Sequence, residues 1–159
     1  MTLAKQLVTQ LQNKNWYLRC VESCTAGGLT ATIGAISGAS TVLDRSWVTY
    51  SNQAKIEEVG VPAHMINTYG AISKETVTAM AEGASKGCES NTVSISVSGI
   101  AGPNGGTKDK PVGTVWVGVK VPHMTTQTQC FLFSGTRKKI QNQAIDAALD
   151  LTLKQLASV

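Results

Sequence analysis

Histidine is nearly missing from this 159-residue chain: there are two, His64 beside a Val-Pro break and His123 in a hairpin turn. With so few, a Ser-His-Asp triad is not expected. Charge is sparse too. Charged residues make up 15% and aromatic residues 5%, and the Lys and Arg behind the net charge of +4 are scattered. With neither a basic run nor interleaved aromatics, no nucleic-acid partner is expected, and a small anionic ligand suits the mildly basic balance better. The four cysteines, Cys20, Cys24, Cys88 and Cys130, form no CxxC pair. Nor do they have a His or carboxylate partner in register, so no metal is expected. No signal peptide and no membrane-length apolar run is present, which predicts a cytoplasmic protein with reduced thiols and no membrane contact. Internal repeats, linkers and low-complexity segments are absent as well.

What remains describes a globular chain. Apolar residues reach 42% and there are 15 glycines, enough for one domain over residues 1 to 159 with a core that needs no disulfides or metals. Leu3, Leu7, Val8 and Leu11 recur at helical spacing and predict a helix over residues 2 to 14. Trp16 to Val21 reads as a strand, residues 25 to 36 as a small-residue helix, and Trp47 to Tyr50 as a second strand. Ser51 is placed to cap a helix over Asn52 to Glu58, which Val61-Pro62 ends. A longer helix is predicted over residues 74 to 87. Thr92 to Ser98 alternates Val93, Ile95 and Val97 against serines and threonine, so one face of that strand is expected to be less apolar than the other.

Gly113 to Val121 and Gln127 to Phe133 read as an antiparallel hairpin, and a last helix is predicted over residues 136 to 157. The order α-β-α-β-α-α-β-β-β-α implies an α/β fold, a five-stranded mixed sheet between helices with one strand antiparallel.

Three loops leave strand ends, where open α/β sheets commonly bind ligands. The first is Val21-Glu22-Ser23-Cys24-Thr25-Ala26-Gly27-Gly28. Ser23 lies there at a predicted helix start, where it can serve as a cap, a phosphate ligand or a nucleophile. The second carries Tyr50, Ser51, Asn52 and Lys55. Lys55, about one turn into its helix, can reach back over the helix start. It is either a solvated lysine or, if partly buried, a base of lowered pKa for a hydroxyl.

The third loop, Gly99 to Gly106, is neither a Walker P-loop nor a GxGxxG fingerprint. Its glycines suit an ordinary turn or an anion-binding nest, to which Thr107, Lys108 and Lys110 add donors. Arg137-Lys138-Lys139 places cations against the dipole at a helix start, a conflict that a bound anion relieves and a solvated turn tolerates.

Several runs in order carry a resemblance: Glu22-Ser23-Cys24-Thr25, Val48 to Lys55, Gly70-Ala71-Ile72-Ser73, Ser98 to Gly106, Lys110 to Trp116, and Phe133-Ser134-Gly135. From about residue 3 to residue 156 the chain resembles the CinA C-terminal domain family, which includes stand-alone nicotinamide-nucleotide amidases. The resemblance implies a three-layer α/β/α sandwich with a mixed sheet. It also implies hydrolysis of the carboxamide of nicotinamide mononucleotide to nicotinic acid mononucleotide and ammonia, without cofactor or metal.

It further implies Ser23 as nucleophile, Lys55 as its base and Tyr50 as a hydroxyl that relays or orients the proton. The oxyanion would be held by backbone N–H groups at the first helix start. Thr25, Ala26, Gly27 and Asn52 with Gly99, Ile100, Ala101, Gly102, Gly105, Gly106 and Arg137 would hold the pyridine nucleotide. A homo-oligomer is expected.

The chain departs from the family pattern at Ala26-Gly27, usually Gly-Gly, and at Ser46, usually glycine. It departs again at Thr136, usually acidic, and at Gln141, usually a second arginine. These departures bear on phosphate affinity more than on the chemistry. The domain also occurs beside an N-terminal nucleotide-hydrolysing domain, which is not expected here. The alternative function is a catalytically silent nucleotide- or partner-binding module linked to competence or DNA-damage responses.

Overall fold

Apolar stripes on the helices decide which face of the sheet each one covers. In the computed structural model, which describes residues 1–159, the elements follow in the order α1 (Leu3–Lys14), β1 (Tyr17–Glu22), α2 (Gly28–Gly34), a 3-10 turn (Ala39–Thr41), β2 (Leu43–Val48), α3 (Asn52–Val59), α4 (Ala63–Tyr69), α5 (Lys74–Ala84), β3 (Thr92–Gly99), β4 (Thr114–Lys120), β5 (Gln127–Leu132) and α6 (Arg137–Leu156). Leu7 of α1, Leu29 and Ile33 of α2, and Ile140 and Leu149 of α6 meet Val115, Val117 and Val119 on one face. Val59, Ile66, Val77 and Met80 from α3, α4 and α5 meet Val21 on the other. The result is the expected three-layer α/β/α sandwich, its layers held by apolar burial.

The sheet order is β2-β1-β3-β4-β5. β1 runs parallel to β2 and to β3, while β4 runs antiparallel to both β3 and β5, so β4 alone opposes the other four strands. The chain leaves β1 on one side to reach β2 and comes back past it to form β3. That reversal opens a crevice at the carboxyl ends of β1 and β3.

Two predicted starts move by several residues, and one helix is added. Gly27 at φ 93° and Ala26 at φ 50° hold a left-handed kink that α-helix cannot include, so α2 begins at Gly28 rather than at residue 25. β2 is an edge strand starting at Leu43, four residues earlier than its β-formers suggest. Its polar part is tolerated there because Asp44 pairs with Arg19 at 2.7 Å and with Arg45 at 3.0 Å. The helix α4 was not expected at all, since Val61-Pro62 read only as a break; Pro62 in fact sits at its N-cap, where a missing N–H costs nothing.

The alternation of β3 gives the expected less apolar face, and both faces are buried. Ser96 Oγ donates to Val77 O at 2.6 Å and Ser98 Oγ to Ala71 O at 2.8 Å. The serine face is thus covered by α5 and the segment before it rather than by water. Gly118 of β4 allows that close approach, since a Cβ there would lie 2.8 Å from Val77 O. No helix is long and apolar enough to cross a membrane.

Candidate active site

The crevice holds a pocket of about 160 Å³ lined by Ser23, Cys24, Tyr50, Asn52, Lys55, Ala71, Ile72, Ser98, Gly99 and Ala101. All three strand-end loops therefore reach it. No histidine lines it.

Ser23 follows directly on β1 and is 7% exposed. Its backbone N–H donates to Val97 O at 3.0 Å, which ties it to β3. It does not cap α2, whose N-cap is Gly27. The start of that helix is occupied by Glu22, which is fully buried. Its carboxylate accepts from Leu29 N at 2.8 Å, Thr30 N at 2.9 Å, Thr25 Oγ1 at 2.6 Å and Thr30 Oγ1 at 2.6 Å.

This overturns one expectation. The amides of Leu29 and Thr30 at the first helix start are already engaged, and so is the hydroxyl of Thr25. Cys24 N and Thr25 N, within the turn itself, make no hydrogen bond. The Glu22→Gln variant is expected to lose about 3 kcal/mol of stability, because an amide NH₂ would face donors that now meet a carboxylate. A lower denaturant midpoint at unchanged slope reads that loss.

Lys55 is the largest fully buried side chain of the molecule, 1% exposed. Ser51 sets its position by capping α3, accepting from Ala54 N at 3.0 Å. From the first turn of α3, Lys55 Nζ reaches Ser23 Oγ at 3.2 Å, Thr49 O at 2.7 Å and Tyr50 O at 3.3 Å. No carboxylate is among its partners, and burial brings its ammonium down to about 8. Desolvation favours the neutral amine, the form able to take a proton from a hydroxyl. The neighbouring Cys24 thiol moves the opposite way, pushed up to about 12 by burial. Its sulfur therefore stays protonated while the adjacent serine hydroxyl faces the Lys55 nitrogen.

Tyr50 contributes differently from expectation. Its carbonyl meets Lys55, and Ser23 Oγ approaches the same carbonyl at 3.5 Å. Its hydroxyl accepts from Arg137 Nη2 at 2.7 Å, at the exposed rim. Arg137 also donates from Nη1 to Gly102 O at 2.8 Å, joining the second and third loops. The cation at the start of α6 is thus turned back onto two oxygens. Lys138 and Lys139 are exposed.

In the third loop Gly99 and Ala101 line the pocket, with Gly99 enforced by contact: a Cβ would sit 2.7 Å from Thr114 O. Ile100 N is taken by Thr114 O at 2.9 Å. Ile100, Gly102, Gly105, Gly106 and Arg137 lie outside the pocket lining, as do Thr25, Ala26 and Gly27. Lys110 is held elsewhere, its Nζ donating to Tyr69 O at 3.0 Å.

Sequence reasoning missed Cys24, Ala71, Ile72 and Ser98 as lining residues, although Glu22-Ser23-Cys24-Thr25 and Gly70-Ala71-Ile72-Ser73 stood among the recognisable runs. It also missed Glu22, a lone carboxylate closing an apolar strand directly before Ser23. Ser46, one of the departures, has no place at the pocket; it pairs in register with Cys20 and its Oγ is buried without a partner.

A model of the CinA C-terminal domain matches residues 1–156. A nicotinamide-nucleotide amidohydrolase PncC of Enterobacter agglomerans is 40% identical over 153 residues, covering 96% of this chain and 93% of that protein. Its namesake in Escherichia coli strain K12 is 37% identical over 155 residues, covering 98% of this chain and 93% of that one. A CinA-like protein of Endomicrobium trichonymphae is 45% identical over 146 residues, covering 92% of this chain but 33% of its own length. The chain spans between 33% and 38% of several such longer relatives. Among solved structures, a competence-damaged protein (CinA) superfamily protein of Klebsiella pneumoniae matches with a TM-score of 0.92 and 30% identity, covering 99% of this chain and 97% of that one.

Proposed function

This chain belongs to the CinA C-terminal domain family, and from that premise we propose that it is a nicotinamide-nucleotide amidase with Ser23 as nucleophile and Lys55 as general base. The observation that carries this reading is the 3.2 Å contact between the buried Lys55 Nζ and Ser23 Oγ. Lys55 takes the Ser23 proton as Oγ adds to the carboxamide carbon of nicotinamide mononucleotide. The resulting Lys55 ammonium protonates the amide nitrogen, which leaves as ammonia, and a nicotinoyl ester remains on Ser23. Water, deprotonated by the same amine, opens the ester to nicotinic acid mononucleotide and restores the serine.

The oxyanion of each addition step falls to the unpaired N–H groups of Cys24 and Thr25; one such donor typically contributes about 3 kcal/mol. The small pocket suits the pyridine ring and its amide. Ribose and phosphate then lie at the rim beside Asn52, the Gly99–Gly106 loop and Arg137, whose guanidinium exchanges a neutral hydroxyl for a phosphate oxygen. No metal or cofactor takes part in this scheme.

A cytoplasmic setting is supported by four unpaired cysteines. Assembly as a homo-oligomer is supported by the unpaired edge of β5, where Leu132 is 70% exposed. The purified chain is expected to release one ammonia per nicotinamide mononucleotide consumed, measured by a coupled steady-state assay. A folded chain that binds the nucleotide without releasing ammonia would return the silent binding module.

A further inference from the structure

The turn that carries Ser23 has two unpaired amides in succession, and something must aim them. In a trans peptide the C=O and N–H point to opposite sides, so fixing a carbonyl fixes the direction of the next amide. The carbonyl of the Ser23–Cys24 peptide is held within the turn, by Ala26 N at 3.0 Å. The carbonyl of the Cys24–Thr25 peptide is held from outside it, by Gln141 Nε2 at 3.0 Å. Gln141 lies one turn into α6, half-buried, on the face of the sheet opposite α3 and α5. A carbonyl drawn toward α6 turns the Thr25 N–H away from it, to the side of the sheet on which Lys55 of α3 and the Ala71-Ile72 segment before α5 lie; Thr25 is outside the pocket lining but adjoins Cys24, which lines it with Ser23.

We infer that Gln141 is a positioning residue for catalysis: by holding the Cys24 carbonyl it aims the Thr25 amide at the oxyanion that forms on the substrate carboxamide. The inference rests on the amidase reading above. It gives Gln141 a task at the turn, since one N–H of its side-chain amide is engaged by the Cys24 carbonyl. Of the other hydrogen bonds of the turn, Glu22 takes the Thr25 hydroxyl, Val97 O takes the Ser23 amide and Gly28 N donates to Thr25 O at 2.9 Å. None of these falls on the C=O or N–H of the Cys24–Thr25 peptide, which is held through its carbonyl by Gln141.

The test compares Gln141→Met, which keeps the length of the side chain and deletes its donor, with Gln141→Arg, which keeps a donor on a longer arm. Each is assayed for ammonia release from nicotinamide mononucleotide, with inhibition by pyridine-3-boronic acid, whose serine adduct is tetrahedral and anionic, as a second readout. In Gln141→Met, kcat is expected to fall about 10- to 100-fold with KM within about twofold, as for a misplaced rather than a missing transition-state donor. Boronate affinity is expected to fall with it, because the lost interaction is specific to the tetrahedral state. Gln141→Arg is expected to recover most of kcat.

An unchanged kcat in a folded Gln141→Met enzyme overturns the inference. So does a raised KM at constant kcat, which would make Gln141 a substrate contact, and so does a kcat loss without any loss of boronate affinity, which would make its role structural. Lack of turnover by the wild-type chain is a different result: it removes the amidase reading, and the inference with it.

Discussion

The Ser23→Ala variant is expected to release ammonia from nicotinamide mononucleotide at least about 10⁴-fold more slowly than the wild type, the scale seen when a nucleophile is removed from an acyl-transfer enzyme. Its fold should be retained. Ser23 Oγ contacts only Lys55 Nζ and, at 3.5 Å, Tyr50 O, and because Gly27 is the N-cap of α2 no capping bond is lost with the hydroxyl. Lys55 keeps Thr49 O and Tyr50 O as acceptors. A melting temperature within about 4 °C of the wild type would correspond to about 1 kcal/mol at this chain length. After a rapid quench, mass spectrometry should find the nicotinoyl adduct on the peptide containing Ser23 in the wild type and none in the variant. Ammonia release above a tenth of the wild-type rate in Ser23→Ala would exclude Ser23 as the nucleophile.

Replacing Lys55 by methionine, which fills the same buried channel without an amine, is expected to lower kcat by about 10²- to 10⁴-fold, the contribution typical of a positioned general base. KM should hardly change, since Lys55 lies beneath the serine rather than at the rim. The pH profile supplies a sharper readout. In the proposed mechanism the neutral amine is the active form, and with its pKa at about 8, kcat/KM of the wild type should rise about tenfold per pH unit below that value and level off above it. At pH 7 such an amine is about 9% neutral, against about 0.03% for an ordinary lysine at 10.5, so burial raises the neutral fraction some 300-fold. The rise should vanish in Lys55→Met. A variant whose residual activity keeps the same rise through pH 8 would assign the base to another group.

Much of this architecture was legible because it depends on local periodicity. The stripe of Leu7, Val8 and Leu11, the cap at Ser51 and the hairpin of β4 and β5 each follow from neighbours in the chain, and the single antiparallel strand followed from the short connection between those two. What escaped depends on contacts distant in sequence. Nothing near Asp44 shows that Arg19, across the β1–β2 pair, makes a charged edge strand acceptable. Nothing near Ser96 shows that α5 covers its hydroxyl.

The same division runs through the site. Ser23 and Lys55 were identified as partners through family resemblance, while spacing alone left serine a cap and lysine a surface charge. Burial decides for Lys55, and burial belongs to the assembled fold. The hydroxyl of Tyr50 was assigned beside the serine because sequence places the residue correctly but says nothing of which end faces inward; its carbonyl does, and its ring reaches the guanidinium of Arg137. The oxyanion donors were assigned to the helix start because a free N-terminus is the usual situation, and Glu22 had already occupied it.

The three oxygens around Lys55 Nζ have a stereochemical consequence. A protonated ammonium has three hydrogens for Ser23 Oγ, Thr49 O and Tyr50 O, and a neutral amine has two hydrogens and one lone pair. Carbonyl oxygens can only accept, so both must take the hydrogens, and the lone pair is left for the one partner that can donate. Loss of a proton therefore leaves the sp³ orbital facing the serine hydroxyl without any side-chain rotation. Thr49 and Tyr50, through backbone atoms that substitution of their side chains does not alter, act as the template that gives this amine its handed direction.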